Sequence, residues 1–309
     1  MMHLTLFKQK YDGDVSKNRN RYIGGSDVGT IMGLNEWKSP YTLWAEKTGR
    51  IPVEDISDKE AVWWGTMSEE LVAQRFCLKT GKKVRRSNFE YRCTDYSFLV
   101  GHIDRQVCGE NSILECKTTS SYNKTDYDNG DVPDAHYAKV QFYLALTGAQ
   151  VGYIATKRDS QFYISEVKRD PVYIDVMIQK CIDFWRCVEE DIPPQTDGSQ
   201  STTDTLDRIY TPVKEGKCYL DDDADIILQT IVEKERELKR LKTEVELLKN
   251  EIKLSLMNRE SGESEGYIVT WKAYTTQRFD SKRFMEEHPG MYRSYVNVTE
   301  ARRFSVKEK

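Results

Sequence analysis

Between Leu99 and Lys117 polar and apolar positions alternate, the pattern of strands that bury one face. With Gly109 and Glu110 as the central residues of a tight turn, glycine supplies the positive φ that a primed hairpin turn needs, and Cys108 faces Asn111. Leu99, Ile103, Val107, Leu114 and Cys116 then share an apolar face, and His102, Asp104, Gln106, Glu115 and Lys117 share a polar one. Asp104 lies directly opposite Glu115. A three-residue loop would shift the pairing by one residue and send the two carboxylates to different faces.

Elsewhere helical spacing dominates. Short helices are predicted from Ser26 to Gly33, with Ser26 as N-cap, and from Ser39-Pro40 to Gly49 with Leu43 and Trp44 buried. A longer one runs from about Lys59 to Thr80. Residues 1–20 are polar and partly irregular, and 83–92 read as one strand feeding the hairpin. A helix from Pro133-Asp134 to Gly148, strands near 150–157 and 161–168, and a helix from Val172 to Glu190 follow. The pattern predicts an α/β fold, a mixed central sheet flanked by helices, over residues 1–190.

Residues 191–212, rich in Pro, Ser, Thr and Asp, read as a linker or boundary loop before a C-terminal region at 213–309. There Ala224, Ile231, Leu238, Val245 and Ile252 keep a seven-residue repeat, with Ile227, Leu241 and Leu248 between them. Lys234 interrupts the seam, which favours a long helix packed on its own C-terminal region or on a partner over an extended two-stranded coiled coil. A strand begins near Tyr267. In the tail Arg278, Arg283, Arg293 and Arg302 interleave with Tyr292, Tyr295 and Phe304, which suits single-stranded nucleic acid or a folded cap with a charged rim.

Composition narrows the class. The 309 residues are 39% hydrophobic, enough for a substantial core, and no apolar run approaches the ~18 residues of a membrane span. The N-terminus lacks an apolar signal core, so a cytoplasmic protein with no membrane partner is expected. Seven cysteines with no C-x2-C pair indicate neither a disulfide framework nor zinc. A net charge of −4 argues against a surface coated in basic charge, though Lys79, Lys82, Lys83, Arg85, Arg86 and Arg92 form a local cluster, either a solvated strand edge or a nucleic-acid face.

Two carboxylates opposed on a hairpin repel unless a cation lies between them. Oxygen ligands with a nearby lysine suit Mg²⁺ better than zinc, with Mn²⁺ as a substitute. Glu69 shares a helical face with Val72, Ala73 and Phe76, so its charge needs a partner, a metal or a route to water. Gly24-Gly25-Ser26 after Arg19 is either ordinary helix capping or a phosphate pocket. Gln141, between Ala138 and Ala145 on one helical face, is either a boundary residue or a site of close approach. The polar stretch 118–133 is long enough to be functional, and no G-x4-G-K-[ST] loop for ATP is present.

R-x6-S-D, W-G-x3-E, D-x10-E-x-K and V-Q-F-Y occur in that order, and the chain resembles the lambda-exonuclease branch of PD-(D/E)xK nucleases, most closely the YqaJ-type viral recombinase nucleases. IGGSDVGTIMGLNEWKSPYTLWAEKTG carries the most specific part of the likeness, followed by GHIDR, ILECK and KVQFYLALTG, and the tail from TQRFDSKRF to RRF continues it. The resemblance implies that Asp104, Glu115 and the Cys116 carbonyl bind Mg²⁺, with Glu69 joining directly or through water. Lys117 would position the water, Gln141 would support it, and Arg19 and Ser26 would hold a 5′-phosphate. Ile103 stands where the family name has Pro, and Asn123 where lambda-type enzymes tend to place an arginine.

The implied function is Mg²⁺-dependent, ATP-independent 5′→3′ degradation of linear double-stranded DNA to 3′ single-stranded tails for phage-type recombination in a bacterial host cell. Implied partners are double-stranded DNA ends, a single-strand annealing protein and a trimeric homo-oligomer. An endonuclease of the same superfamily and a non-catalytic DNA-end-binding or coiled-coil adaptor are the alternatives.

Overall fold

In chain order, strand β1 (Leu6–Lys10) precedes helices α1 (Gly25–Ile31), α2 (Pro40–Lys47) and α3 (Glu60–Thr80). Strands β2 (Val84–Arg86), β3 (Phe89–Cys93), β4 (Val100–Gly101), β5 (Arg105–Val107) and β6 (Ser112–Thr119) follow. Helix α4 (Asp134–Thr147), strands β7 (Val151–Arg158) and β8 (Gln161–Lys168), and helices α5 (Pro171–Glu189) and α6 (Gln200–Ile209) complete the part that carries the site. The computed structural model describes residues 4–10, 19–120, 131–211, 216–298 and 302–308. The chain divides into two compact units, Met1–Pro212 and Val213–Lys309.

The predicted mixed sheet is present, in the order β2-β5-β6-β7-β8, with β6 and β7 parallel and the other pairs antiparallel. Its two faces are both covered. On one, Val72, Ala73 and Phe76 of α3 pack on Val107, Leu114 and Ala155. On the other, α4 joins α1, α2 and α5 in the larger core, where Ile113, Ile154, Val140 and Leu144 are buried. The polar face of the hairpin is therefore interior too, and Glu115 shares it with Ile113. That burial gives the site its electrostatics.

Three local expectations change. The predicted strand 83–92 is two strands in different sheets, because the chain leaves β2 at Ser87-Asn88 and β3 pairs with β1 and β4 in a separate antiparallel sheet. Part of the N-terminal stretch expected to be irregular is thus a strand. Ser26 is not the N-cap of α1. Gly24 takes that place, and the Asp27 carboxylate reaches back to accept from the Gly24 amide at 3.0 Å, which leaves the Ser26 hydroxyl exposed.

The segment 191–212, expected as a linker or boundary loop, contains α6 within the first unit. Ser199 caps it, and the Thr42 hydroxyl of α2 meets those of Ser201 and Thr205 at 2.7 and 2.8 Å. Hydroxyl pairing ties the two helices, and Leu206 and Ile209 of α6 pack on the larger core. The polar composition that reads as a linker is what makes the contact.

In the second unit, α7 (Asp222–Leu256) is a continuous 35-residue helix, about 50 Å long. The hairpin of β9 (Ser261–Glu263) and β10 (Ile268–Thr270) returns against its C-terminal end, with Gly262 on Leu256. Helices α8 (Ser281–Glu287) and α9 (Pro289–Tyr295) follow. No described helix is long and apolar enough to cross a membrane.

Candidate active site

The hairpin register is the one the alternation predicts. Gly109 has φ +81°, and Arg105 pairs with Leu114 and Gln106 with Ile113, which sets Asp104 level with Glu115. Asp104 lies just beyond the end of β5, so its carboxylate, instead of a ladder carbonyl, accepts the Cys116 amide at 2.8 Å. The two acids interact directly through their charge.

Glu115 is 2% exposed. Its Oε1 accepts from Lys117 Nζ at 2.7 Å and from Lys139 Nζ, while its Oε2 is buried without a hydrogen-bond partner. Burial alone would raise the Glu115 carboxyl, but the charges of Lys117 and Lys139 hold it down to about 2. Asp104 goes the other way. Burial, then the neighbouring charge of Glu115, push it up to about 7. Burial penalises the Lys139 ammonium, yet Glu115 and Asp104 keep it above the usual lysine range. His136, on the first turn of α4, is lowered to about 4 by burial and by the charge of Lys117, so its imidazole is neutral at neutral pH.

Glu69 finds a cation in the protein itself. Arg105, 3% exposed, donates to Glu69 Oε1, to Glu70 at 2.9 Å and to the Asp104 carbonyl at 2.8 Å. The helix that carries the predicted third acid is thereby clamped to the strand that carries the first. Glu69 also lines a cavity of about 410 Å³ together with Asp104, Lys139, Arg86, Arg19 and Ser26.

Arg19 and Ser26 meet at the mouth of that cavity, where the guanidinium donates to the Ser26 hydroxyl. The turn Arg19–Arg21 is held from below. Lys47, its side chain 4% exposed, donates to the Arg19 and Tyr22 carbonyls at 2.5 and 2.6 Å and pairs with Asp27 at 2.8 Å. Gly25 lets α1 approach α4, since a Cβ there would lie 2.6 Å from the Tyr143 ring.

Glu69, Asp104, Arg19 and Ser26 therefore line one concavity with Lys139, and Glu115 and Lys117 lie behind that wall, Glu115 reached by Lys139, with the Cys116 backbone beside Asp104. Gln141 does not join them. It is fully buried, donating to the Lys168 carbonyl at 2.7 Å and accepting from the Asp170 amide at 3.0 Å, so it fastens α4 to the start of α5. The small neighbours that made it look approachable belong to the core packing of α4.

Lys139, not Gln141, lines the cavity and reaches Glu115. The signal for it lay in α4 itself, whose residues 138 and 140–146 are all buried. A lysine in a helix with no polar face needs a buried acid. In the basic cluster, Arg86 lines the cavity, whereas Lys82 pairs with Glu110, Arg85 with Gln106 and Arg92 with Glu90. Asn123 lies outside the described residues.

The donor set fits a divalent cation in part. Two carboxylates lie at one level, one of them with a buried oxygen that has no donor and the other with its charge disfavoured by the first. Among the described residues there is no group of three or more His, Cys, Asp or Glu placed to hold a metal, and Glu69 is paired with Arg105. The acids that lie level with each other are thus two, Asp104 and Glu115.

Residues 16–150 match the model of the YqaJ-like viral recombinase domain. The chain is 35% identical over 297 residues, 94% of its length and 92% of the relative's, to the uncharacterized protein YqaJ of Bacillus subtilis (strain 168). Among solved structures it is similar to an alkaline exonuclease (LHK-Exo) from Laribacter hongkongensis, with TM-score 0.49 and 19% identity, covering 56% of this chain and 91% of that one. A phage related exonuclease from Haemophilus somnus 129PT gives TM-score 0.44 and 15% identity, covering 55% of this chain and 95% of that one. At these scores neither likeness bears on the chemistry of this chain.

Proposed function

The chain belongs to the YqaJ-like viral recombinase family, and from that premise we propose that it is a Mg²⁺-dependent, ATP-independent exonuclease that resects linear double-stranded DNA from its 5′ ends, leaving 3′ single-stranded tails for recombination. The observation that carries the reading is the buried, undonated Oε2 of Glu115 level with Asp104, next to two lysine ammonium groups. Such an oxygen costs folding free energy unless a cation or a proton meets it.

In this reading Asp104, Glu115 and the Cys116 carbonyl would hold Mg²⁺, for which Mn²⁺ would substitute. When bound, the ion polarises the scissile phosphate and lowers the pKa of water. Lys117 orients the attacking water and meets charge that builds on the phosphate. Lys139 fixes Glu115 Oε1 in place, which leaves the buried Oε2 as the oxygen that would meet the ion. Arg105 holds Glu69 at the cavity wall, from where its carboxylate would join the ion directly or through water. Arg19 and Ser26, braced by Lys47, anchor a 5′-phosphate and so give direction without a motor. A protein that anneals single strands is the partner that would take the product.

The test is digestion of linear duplex labelled separately at each end. Release of the 5′ label in Mg²⁺, none with chelator, and an intact covalently closed circle are expected. Cutting of the circle would make the protein an endonuclease, and equal binding without shortening in either condition would make it a DNA-end adaptor.

A further inference from the structure

Tyr143 carries a hydroxyl that the reading above does not use. It stands on α4 one turn after Lys139, is 5% exposed and lines the same cavity as Arg19, Ser26 and Asp104. Two glycines make room for its ring between α1 and β4. A Cβ on Gly101 would lie 3.4 Å from the ring edge, and one on Gly25 would lie 2.6 Å from the hydroxyl oxygen itself. The hydroxyl therefore rests on the backbone next to Ser26.

Among the described residues, that hydroxyl has no hydrogen-bond partner. A tyrosine so deeply buried usually finds one, and an O–H left unmet costs free energy. Phenylalanine would fill the same space without that cost. The oxygen thus points to a ligand that enters the cavity.

The neighbouring groups define the ligand. Burial and the charges of Glu115 and Asp104 push the Tyr143 hydroxyl well above the ordinary tyrosine range, so it keeps its proton and acts as a donor. The Ser26 hydroxyl accepts from the Arg19 guanidinium, which leaves its own proton to give. Guanidinium and two hydroxyls make a donor set with no acceptor of its own to spare. It suits an anion with several oxygens, and a terminal phosphate offers three where an internal phosphodiester offers two.

We infer that Tyr143 is the third donor to the terminal 5′-phosphate of the DNA, beside Arg19 and Ser26, and that it tells this monoester from an internal phosphodiester. The inference rests on the reading of Arg19 and Ser26 as the anchor. It adds the side chain that completes the set of donors, and it explains why Gly25 is needed beside Ser26.

Fluorescence anisotropy of the full chain in chelator, where nothing is cut, tests this. The probes are two duplexes of one sequence, one ending in 5′-phosphates and the other in 5′-hydroxyls. The parent should bind the phosphorylated duplex more tightly, and Tyr143→Phe should reduce that preference by about tenfold. Tyr143→Phe should also melt no lower than the parent, since its hydroxyl has no bond in the fold to lose. Arg19→Ala is the reference. If it removes the preference and Tyr143→Phe does not, the anchor stands without Tyr143 and the inference falls alone. Weakening of both duplexes alike by Tyr143→Phe, the sign of a phosphodiester contact, overturns it, as does a variant that melts several degrees lower. A parent that binds both ends equally overturns the inference and the anchor together.

Discussion

The first unit buries two lysine–acid clusters, and they are finished to different degrees. At Asp27–Lys47 the lysine spends all three donors, on Asp27 and on two backbone carbonyls, and binds the Arg19 turn to α1. At Glu115 two lysines converge on one oxygen while the other is left without a donor. A cluster whose donors and acceptors balance is a fastener. One with a spare buried acceptor holds a place for something else.

The sharpest way to break the contrast is to remove one member of each cluster. Lys47→Met leaves Asp27 uncompensated and should cost about 3–5 kcal/mol in chemical denaturation. A loss under about 1 kcal/mol would rank the pair with surface salt bridges. Lys117→Ala should leave the fold intact and lower the rate of duplex degradation by about 10²–10³-fold, with DNA binding still measurable. Unchanged turnover would remove Lys117 from the mechanism.

A pH series separates the two clusters further. The Asp104 carboxyl rises from its ordinary 3.8 to about 7 in the fold. Between those values the native chain binds more protons than the unfolded one, so metal-free stability falls as pH rises through that range. Glu115, lowered from 4.5 to about 2, acts below the window, where stability is lost as pH falls toward 2. Melting curves of the parent and of Asp104→Asn, from about pH 5 to about pH 8, should diverge by a few degrees without Mg²⁺ and converge toward acid. Comparing the two variants isolates Asp104 from His136, whose lowered pKa acts in the opposite sense. Curves that stay parallel would place the Asp104 carboxyl in its ordinary range.

The smallest effect is expected at the cavity mouth. Arg19→Ala should slow resection of 5′-phosphorylated ends by about tenfold and leave 5′-hydroxyl ends unaffected, the loss of one charge-assisted contact. An equal loss on both ends would count against Arg19 as the anchor.

Period-two alternation made the hairpin legible, because one glycine fixes the turn and the turn fixes which residues are level. Long-range partners were not legible in the same way. Arg105 reads as a polar strand residue until α3 brings Glu69 to it, and Lys139 reads as a surface lysine until α4 proves buried on nearly every side. Gln141 illustrates the reverse error, since a polar side chain among small neighbours looks like an opening when its amide is satisfied by backbone. The α6 docking was hidden because a stretch rich in Pro, Ser, Thr and Asp reads as a boundary, although Thr202, Thr205, Leu206 and Ile209 share one inward helical face.

The two-residue connection at Gly109 makes the site a matter of parity. A one-residue slip of β5 against β6 turns one carboxylate to the α3 side and leaves the cradle with a single acid, whereas a slip of two returns both to the same face.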